Sequence, residues 1–416
     1  MHDFKYRHSE LYCESVNIAR LAKKYGTPLY VYSRKTFLDH YRKLQAAFRD
    51  VRPLICYSVK ANSNTSILRM LVKEGAGLDI VSGGELYRAL RAGASPRKIV
   101  YAGVGKTEKE IEYAIRQNSL LFNVESLPEL RAIDSVAGRL GKTQACALRI
   151  NPDVKAKTHK YITTGHKQNK FGIDIATARN IFLNRGQFEN LDIAGVHTHI
   201  GSQIVDARPF VNAIRKLAGF VRGLEAGGIR VKWFNIGGGL GIIYSGERPQ
   251  TAQEYARAVL PLLKKLNARI ILEPGRFISG NSGVLVTKVI YLKEAPRKNF
   301  AIVDAAMNDL IRPSLYGAYH EVLPLKSAPY TTSKKIRNYD VVGPVCESGD
   351  FLARNRRFID LQEGDLLAVM SAGAYGFSMS SVYNSRPRAA EVLVDAGRAR
   401  LITRRETYSD LVHTER

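Results

Sequence analysis

Nothing in this sequence approaches the roughly 20 consecutive apolar residues that a bilayer-spanning helix needs, so no transmembrane segment and no membrane partner is expected. The first residues, MHDFKYRHSELY, lack an apolar core of the signal-peptide kind, which argues against secretion. Cysteine is scarce. Cys13, Cys56, Cys146 and Cys346 are scattered, with no CxxC pair, which excludes a disulfide framework and a zinc site and suits free thiols in a reducing cytoplasm. Low-complexity tracts and short-period repeats are also missing, which excludes a solenoid. Acidic residues are in short supply, 38 against 63 basic ones, for a formal net charge of +25. Such an imbalance raises the question of nucleic acid. The basic residues fall in short separate clusters (Lys23-Lys24, Lys155 to Lys170, Lys334 to Arg337, Arg354 to Arg357, Arg398 to Arg405), and no helix-turn-helix, zinc finger or aromatic-interleaved basic arm accompanies them. They read as a solvated basic surface that attracts anionic substrates, and no nucleic-acid partner is expected.

What is present is a regular rhythm. The chain has 416 residues, 45% of them hydrophobic, enough for one large domain and a smaller one. Short apolar runs at 53–59, 77–81, 98–103, 119–125, 144–150, 191–197, 231–236 and 268–273 alternate with segments of helical periodicity such as RPFVNAIRKLAGFVRGLEAGG. Eight such βα repeats predict a (β/α)8 TIM barrel, although a doubly wound open sheet has the same local pattern. After about residue 280 strand-like runs follow one another with little helix between them, at 284–292, 299–305, 339–345, 365–370 and 390–396. The expected division is a barrel over 29–280 and a mostly β domain, sandwich or barrel, from 281–416 joined by residues 1–28.

In a TIM barrel the functional groups stand at the C-terminal ends of the strands. Those ends carry Lys60, Asp79, Arg149, His197 with His199, the run Gly237-Gly238-Gly239, and Glu273 with Arg276. A lysine that closes a buried strand can form a Schiff base when its surroundings lower its pKa, although a lone one more often emerges into solvent. Three successive glycines after the seventh strand let backbone N–H groups approach a phosphate, where a plain turn is the alternative. No GK[ST] follows them, so they are not a P-loop. The acid of EPGR (273–276) could hold a cofactor ring nitrogen protonated or simply pair with an arginine. HTHIGSQ (197–203) offers a histidine to stack on an aromatic ring, and with no third ligand at metal spacing no metal is expected. Further on, VGPVCESGDFLA places Cys346, a possible proton donor, beside Glu347, while IRPSLYGAYH and SAGAYGFSM supply Arg312, Tyr316 and Tyr375, suited to carboxylates or phosphates.

Together, YSVKAN, GLDIVSGGEL, RINPDV, HKYITTG with KFGI, HTHIGSQ, GGGLG, EPGR, RPSLYGAYH, GPVCESGD and GAYGFSM run in order from residue 57 to 379. In this the chain resembles the fold-type III pyridoxal-phosphate decarboxylases with an alanine-racemase-like barrel, and within them the diaminopimelate decarboxylase family. Asn169 before KFGI and IIY after GGGLG depart from the usual pattern, at positions without a catalytic role. The resemblance implies a cytoplasmic homodimer with shared active sites that converts meso-2,6-diaminopimelate to L-lysine and CO2, the last step of lysine biosynthesis, with pyridoxal 5'-phosphate as cofactor. It implies that Lys60 carries the cofactor, that Asp79 belongs to the cofactor site, that His199 stacks on the ring and that Glu273 pairs with the ring nitrogen. Ser202, Gly237, Gly238, Gly239 and the backbone of Pro274, Gly275 and Arg276 would bind the phosphate, with Tyr375 near it. Cys346 from the partner subunit would supply a proton after CO2 leaves. Arg276, Arg312 and Tyr316 would grip the distal carboxylate, with Tyr375 also on the substrate side, and Glu347 would take the distal ammonium. A decarboxylase of ornithine, arginine or carboxynorspermidine is the alternative; such enzymes typically carry aspartate after the cysteine, where this chain has Glu347. HKYITTGHKQNKFGI (159–173), long and basic, is the expected segment to close over the site.

Overall fold

The computed structural model describes residues 2–154, 170–296, 298–327 and 336–416. Residues 159–169 of the expected closing segment therefore lie outside the described residues. The chain divides into two compact units, one of residues 40–242 and 248–277, the other of 1–39, 243–247 and 278–416.

The first unit is a closed barrel of eight parallel strands, Leu54–Ser58, Gly77–Ile80, Ile99–Tyr101, Leu121–Val124, Gln144–Arg149, Leu191–His197, Trp233–Asn235 and Arg269–Leu272. Each falls on one of the eight apolar runs. The sheet closes where Ile271 and Leu272 pair in parallel with Leu54 and Ile55, which settles barrel against open sheet. Helices follow the strands because the intervening segments combine caps with an apolar stripe. Thr107 with Glu110, and Thr251 with Glu254, form reciprocal capping boxes that satisfy otherwise orphaned N–H groups at two helix starts. In the helix Arg208–Ala226, Phe210, Ala213, Ile214, Leu217, Ala218, Phe220, Val221 and Leu224 are buried at helical spacing; each larger one stabilises the fold by about 1.5–3 kcal/mol.

Inside the barrel, side chains alternate with period two along each strand. Cys56, Leu121, Ala147 and Ile271 form one apolar cluster with Trp233 packed against it. Two residues further along the same strands stand Ser58, Asn123, Arg149, Glu273 and Asn235, all buried. Gly77 and Gly195 face the same interior: a Cβ there would lie 2.8 Å from Cys56 Sγ and 2.6 Å from Ala147 Cβ. Two residues after them come Asp79 and His197. The barrel thus carries an apolar layer topped, toward the C-terminal ends of its strands, by a polar one.

In the second unit, the strands run in the order Phe351–Ile359, Ile336–Val342, Lys298–Val303, Gly283–Ala295, Leu29–Ser33, Ala390–Asp395 and Arg398–Thr403, with Leu366–Val369 also pairing to Gly283–Ala295 and Val322–Pro324 to Leu366–Val369. A three-stranded sheet, Phe4–Arg7, Glu10–Cys13 and Val16–Asn17, precedes the helix Ile18–Tyr25. Ile18 and Leu21 of that helix pack with Leu29, Val31, Val284, Val286, Val392 and Val394 of the sheet. Every residue of Leu29–Ser33 is buried between an antiparallel and a parallel neighbour. Residues 29–39 therefore cluster with this unit rather than with the barrel, as do 243–247 and 278–280. The difference from the expected 29–280 boundary has a simple cause. LYVYS is apolar on both faces, which a central sheet strand requires.

Candidate active site

Lys60 sits in the single turn Val59–Ala61 that ends the first barrel strand. Its Nζ lies 3.3 Å from Asp79 Oδ2, and its side chain keeps 39% of its surface exposed while that of Asp79 keeps none. Ser58 Oγ donates to the same Asp79 oxygen at 2.5 Å, and Asp79 Oδ1 is buried with no partner among the described residues. Burial pushes the Asp79 carboxyl up, and nearby Glu273 adds to the push, so that despite Lys60 it stands at about 6.

Glu273, one residue past the last strand, is treated oppositely. Burial would raise its carboxyl as well, but His197, Lys60 and Asn235 outweigh that and bring it to about 2. Asn123 Nδ2 donates to Oε1 at 2.9 Å, Asn235 Nδ2 to the same oxygen at 2.6 Å, and His197 Nε2 faces Oε2 at 3.1 Å. An ionised carboxylate only accepts, so His197 carries its hydrogen on Nε2. Two buried acids in one barrel mouth thus hold different protonation tendencies, the sort of divergence that separates acid–base roles.

His199 is driven well below its ordinary pKa by burial and by the charges of Arg149 and Lys60. It is accordingly neutral, and since Gly238 N–H donates to Nδ1 at 3.2 Å, its hydrogen is on Nε2. The glycine run is required by crowding. A Cβ on Gly237 would lie 2.4 Å from Thr198 O, on Gly238 2.1 Å from Glu273 O, and on Gly239 2.5 Å from Gly201 O. Bare backbone there packs against the loops after the sixth and eighth strands. Arg276 is buried and donates through Nε and Nη2 to Ser202 Oγ at 3.3 and 3.1 Å. Ser58 N–H bonds Pro274 O at 3.1 Å, and a Cβ on Gly275 would lie 3.0 Å from that of Ser58, so EPGR packs tightly on the Lys60 strand. The structure therefore brings together Lys60, Asp79, His199, Ser202, Gly237 to Gly239 and Glu273 to Arg276 at one barrel end.

The other unit holds the remaining candidates. Arg312, buried at the start of the short helix Arg312–Tyr316, lies 2.8 Å through Nη1 from His320 Nε2 and stacks over the Tyr244 ring at 4.7 Å. His320 Nδ1 is 2.8 Å from Met370 O; a carbonyl only accepts, so Nδ1 holds the hydrogen and Nε2 takes the one offered by Arg312. Tyr316 is half-buried in the same helix. Cys346 is an exposed free thiol whose backbone N–H bonds Asn384 Oδ1 at 2.9 Å. Its neighbour Glu347 accepts from Tyr383 OH at 3.0 Å. Asp350 ties this loop down, taking the N–H of Val345 and of Met307 at 2.7 Å each. Tyr375 adopts a left-handed backbone, φ 56°.

Sequence reasoning did not single out Ser58, Asn123, Asn235, Tyr244, His320, Tyr383 or Asn384. For Ser58, Asn123 and Asn235 a signal existed, namely a polar residue two positions after an inward apolar one at a strand end. His320 and Tyr383 act on other side chains, and Asn384 on the backbone N–H of Cys346, through tertiary contacts, and they carried no such mark.

A family model described as the pyridoxal-binding domain of pyridoxal-dependent decarboxylases matches residues 34–280. The chain belongs to the pyridoxal-dependent decarboxylases, in the branch of the diaminopimelate decarboxylases. It is 50% identical over 409 residues to the diaminopimelate decarboxylase of Aquifex aeolicus, covering 98% of this chain and 96% of that one. Among solved structures it is similar to diaminopimelate decarboxylase from Helicobacter pylori complexed with L-lysine (TM-score 0.91, 43% identity, 96% of this chain and 99% of that one). The enzyme from M. jannaschii in co-complex with L-lysine matches with a TM-score of 0.94 at 37% identity, over 100% and 99% of the two chains.

The barrel end fits pyridoxal phosphate. It offers one lysine beside a carboxylate, a second carboxylate held ionised, a neutral imidazole and a loop of bare backbone, and Asp79 Oδ1 is a buried oxygen without a protein partner among the described residues.

Proposed function

We propose that this protein decarboxylates meso-2,6-diaminopimelate to L-lysine, with pyridoxal phosphate held by Lys60. The observation that carries the cofactor reading is the pairing of Lys60 with Asp79 in the same polar layer as an ionised Glu273. When bound, the cofactor supplies an electron sink for the bond that breaks as CO2 departs. Glu273 would pair with the ring nitrogen and hold its proton. His199, neutral and anchored by Gly238, would stack on the ring. Ser202, the backbone of Gly237 to Gly239 and of Pro274 to Arg276, and Tyr375 would hold the phosphate. Asp79 orients Lys60 and, near neutrality, can take up or return its proton.

Specificity rests on the groups that meet the far end of the substrate. Diaminopimelate carries a second amino-acid centre, so a site for it needs a cationic fork and an acid. Arg276, Arg312 and Tyr316 grip the distal carboxylate, and Glu347 takes the distal ammonium. Arg312 is suited to this because His320 and Tyr244 preset its guanidinium, which lowers the ordering cost on binding. Cys346, supplied by a second copy of the chain, would deliver a proton to the carbon that has lost CO2. Its loop is ordered in advance by Asn384 and Asp350. The protein works as a homodimer in the cytoplasm, where its four free thiols remain reduced, and it needs no nucleic-acid partner.

The test is CO2 release by purified protein with added pyridoxal phosphate from meso-diaminopimelate, ornithine and arginine. Release from diaminopimelate alone, with lysine formed, is the expected result. Release from ornithine or arginine instead would overturn the roles given to Arg312 and Glu347 while keeping the cofactor site.

A further inference from the structure

We propose that Asn123 and Asn235 are positioning residues that leave Glu273 with its full negative charge and one free acceptor site for the ring nitrogen of the cofactor. This deepens the pyridoxal reading and rests on it. An ionised carboxylate has about four lone-pair sites. Among the described residues Asn123 and Asn235 fill two on Oε1 and His197 one on Oε2, which leaves one.

All four residues are buried, where a carboxylate without donors would take up a proton and become useless as a counter-ion. An arginine or lysine in place of the asparagines would also keep Glu273 ionised, but its charge would cancel the one the ring nitrogen needs. Neutral amide donors stabilise the anion and leave its charge available. Their orientation follows from chemistry: only the NH2 end of an amide can face an acceptor-only carboxylate. Asn235 is further locked because its Oδ1 accepts the N–H of Gly237 at 2.9 Å. One side chain thereby couples the glycine cradle to the acid. The two asparagines lie 150 and 38 residues from Glu273 in sequence. Asn235 comes from the strand paired directly with the one that ends at Glu273, and barrel closure brings Asn123 to the same oxygen.

The experiment reconstitutes the holoenzyme with pyridoxal phosphate labelled with 15N in the ring and follows that resonance against pH. Wild type, Asn123→Leu, Asn235→Leu and the double variant are compared. In wild type the ring nitrogen stays protonated through the neutral range. Each substitution lowers the pH at which it loses its proton by roughly one unit, the worth of one hydrogen bond to a charged group. The kcat falls by about tenfold per amide with KM unchanged, a split that general loosening of the barrel does not produce. Should a leucine variant fail to fold, Asn123→Ser and Asn235→Ser, whose vacated space water can enter, are read in the same way. A double variant whose resonance titrates as in wild type overturns the proposal and leaves the cofactor site standing. If wild type takes up no labelled cofactor, the pyridoxal reading itself is wrong, and this proposal goes with it.

Discussion

Replacing Asp79 by asparagine should make the cofactor-free protein more stable at neutral pH, even though it damages the active site. Asp79 is fully buried, and its carboxyl stands at about 6 against 3.8 in an unfolded chain. Its raised value means that the protonated acid is the form the fold prefers. The associated stability is fully present below about pH 3.8 and is lost as pH rises through about 6. A shift of about 2 units at 1.36 kcal/mol each makes the ionised form about 3 kcal/mol worse at neutral pH. Asparagine copies the shape of the protonated acid and carries no charge to desolvate. The Asp79→Asn apoprotein should therefore gain up to about 3 kcal/mol at pH 7 and match wild type at about pH 4. Glu273 titrates with the opposite sign, since its stabilisation is present above 4.5 and lost as pH falls toward about 2, and because it is ionised at pH 7 its repulsion is part of what the variant relieves there. Urea unfolding of both apoproteins at the two pH values is the assay. Equal stabilities at pH 7, or a variant weaker there, would refute the argument that function keeps a costly buried charge beside Lys60.

Lys60→Ala should abolish turnover together with the visible absorbance of covalently held cofactor, because no other lysine contacts Asp79 among the described residues; absorbance scans check this, and an unchanged spectrum would move the attachment point elsewhere. Cys346→Ala should slow turnover by about a hundredfold to ten-thousandfold, the range for a lost proton donor, with the cofactor spectrum intact; full activity would remove its role. Arg312→Lys keeps the charge and loses the planar fork that His320 and Tyr244 hold, so KM for diaminopimelate should rise by about tenfold or more with kcat nearly unchanged. Steady-state kinetics decides that, and an unaltered KM would place the distal carboxylate on other groups.

The expected closing segment aside, the difference between what could be read in advance and what could not follows the range of the interactions. Apolar runs such as LICYS and LDIAGVH are visible because strand burial leaves a local mark, and the helices between them show stripes and caps for the same reason. FLARNRRFI, by contrast, has little apolar patterning. It becomes the strand Phe351–Ile359 through its antiparallel ladder with Ile336–Val342, a pairing that leaves no mark in the apolar pattern of the segment itself. Leu29–Ser33 is plainly apolar, but which sheet would take it was not legible, because a strand buried on both faces has no side that points to its neighbours.

The same division holds at the site. By itself the sequence determined that lysine, histidine, glycines and an acid stand at successive strand ends, since strand ends and their chemistry are both local. Only the tertiary structure decided which of them meet. Asn235 reaches the carboxylate from the neighbouring seventh strand, whereas Asn123 of the fourth strand and His197 of the sixth reach it inside the mouth that pairing of the eighth strand with the first closes. The strand order also separated the two acids, giving Asp79 a serine and a lysine from the end of the adjacent first strand and Glu273, among the described residues, three other donors. Their opposite pKa shifts follow from that contrast: burial and the charge of Glu273 raise Asp79 against the pull of Lys60 and Ser58, whereas burial at Glu273 is overcome by His197, Lys60 and Asn235.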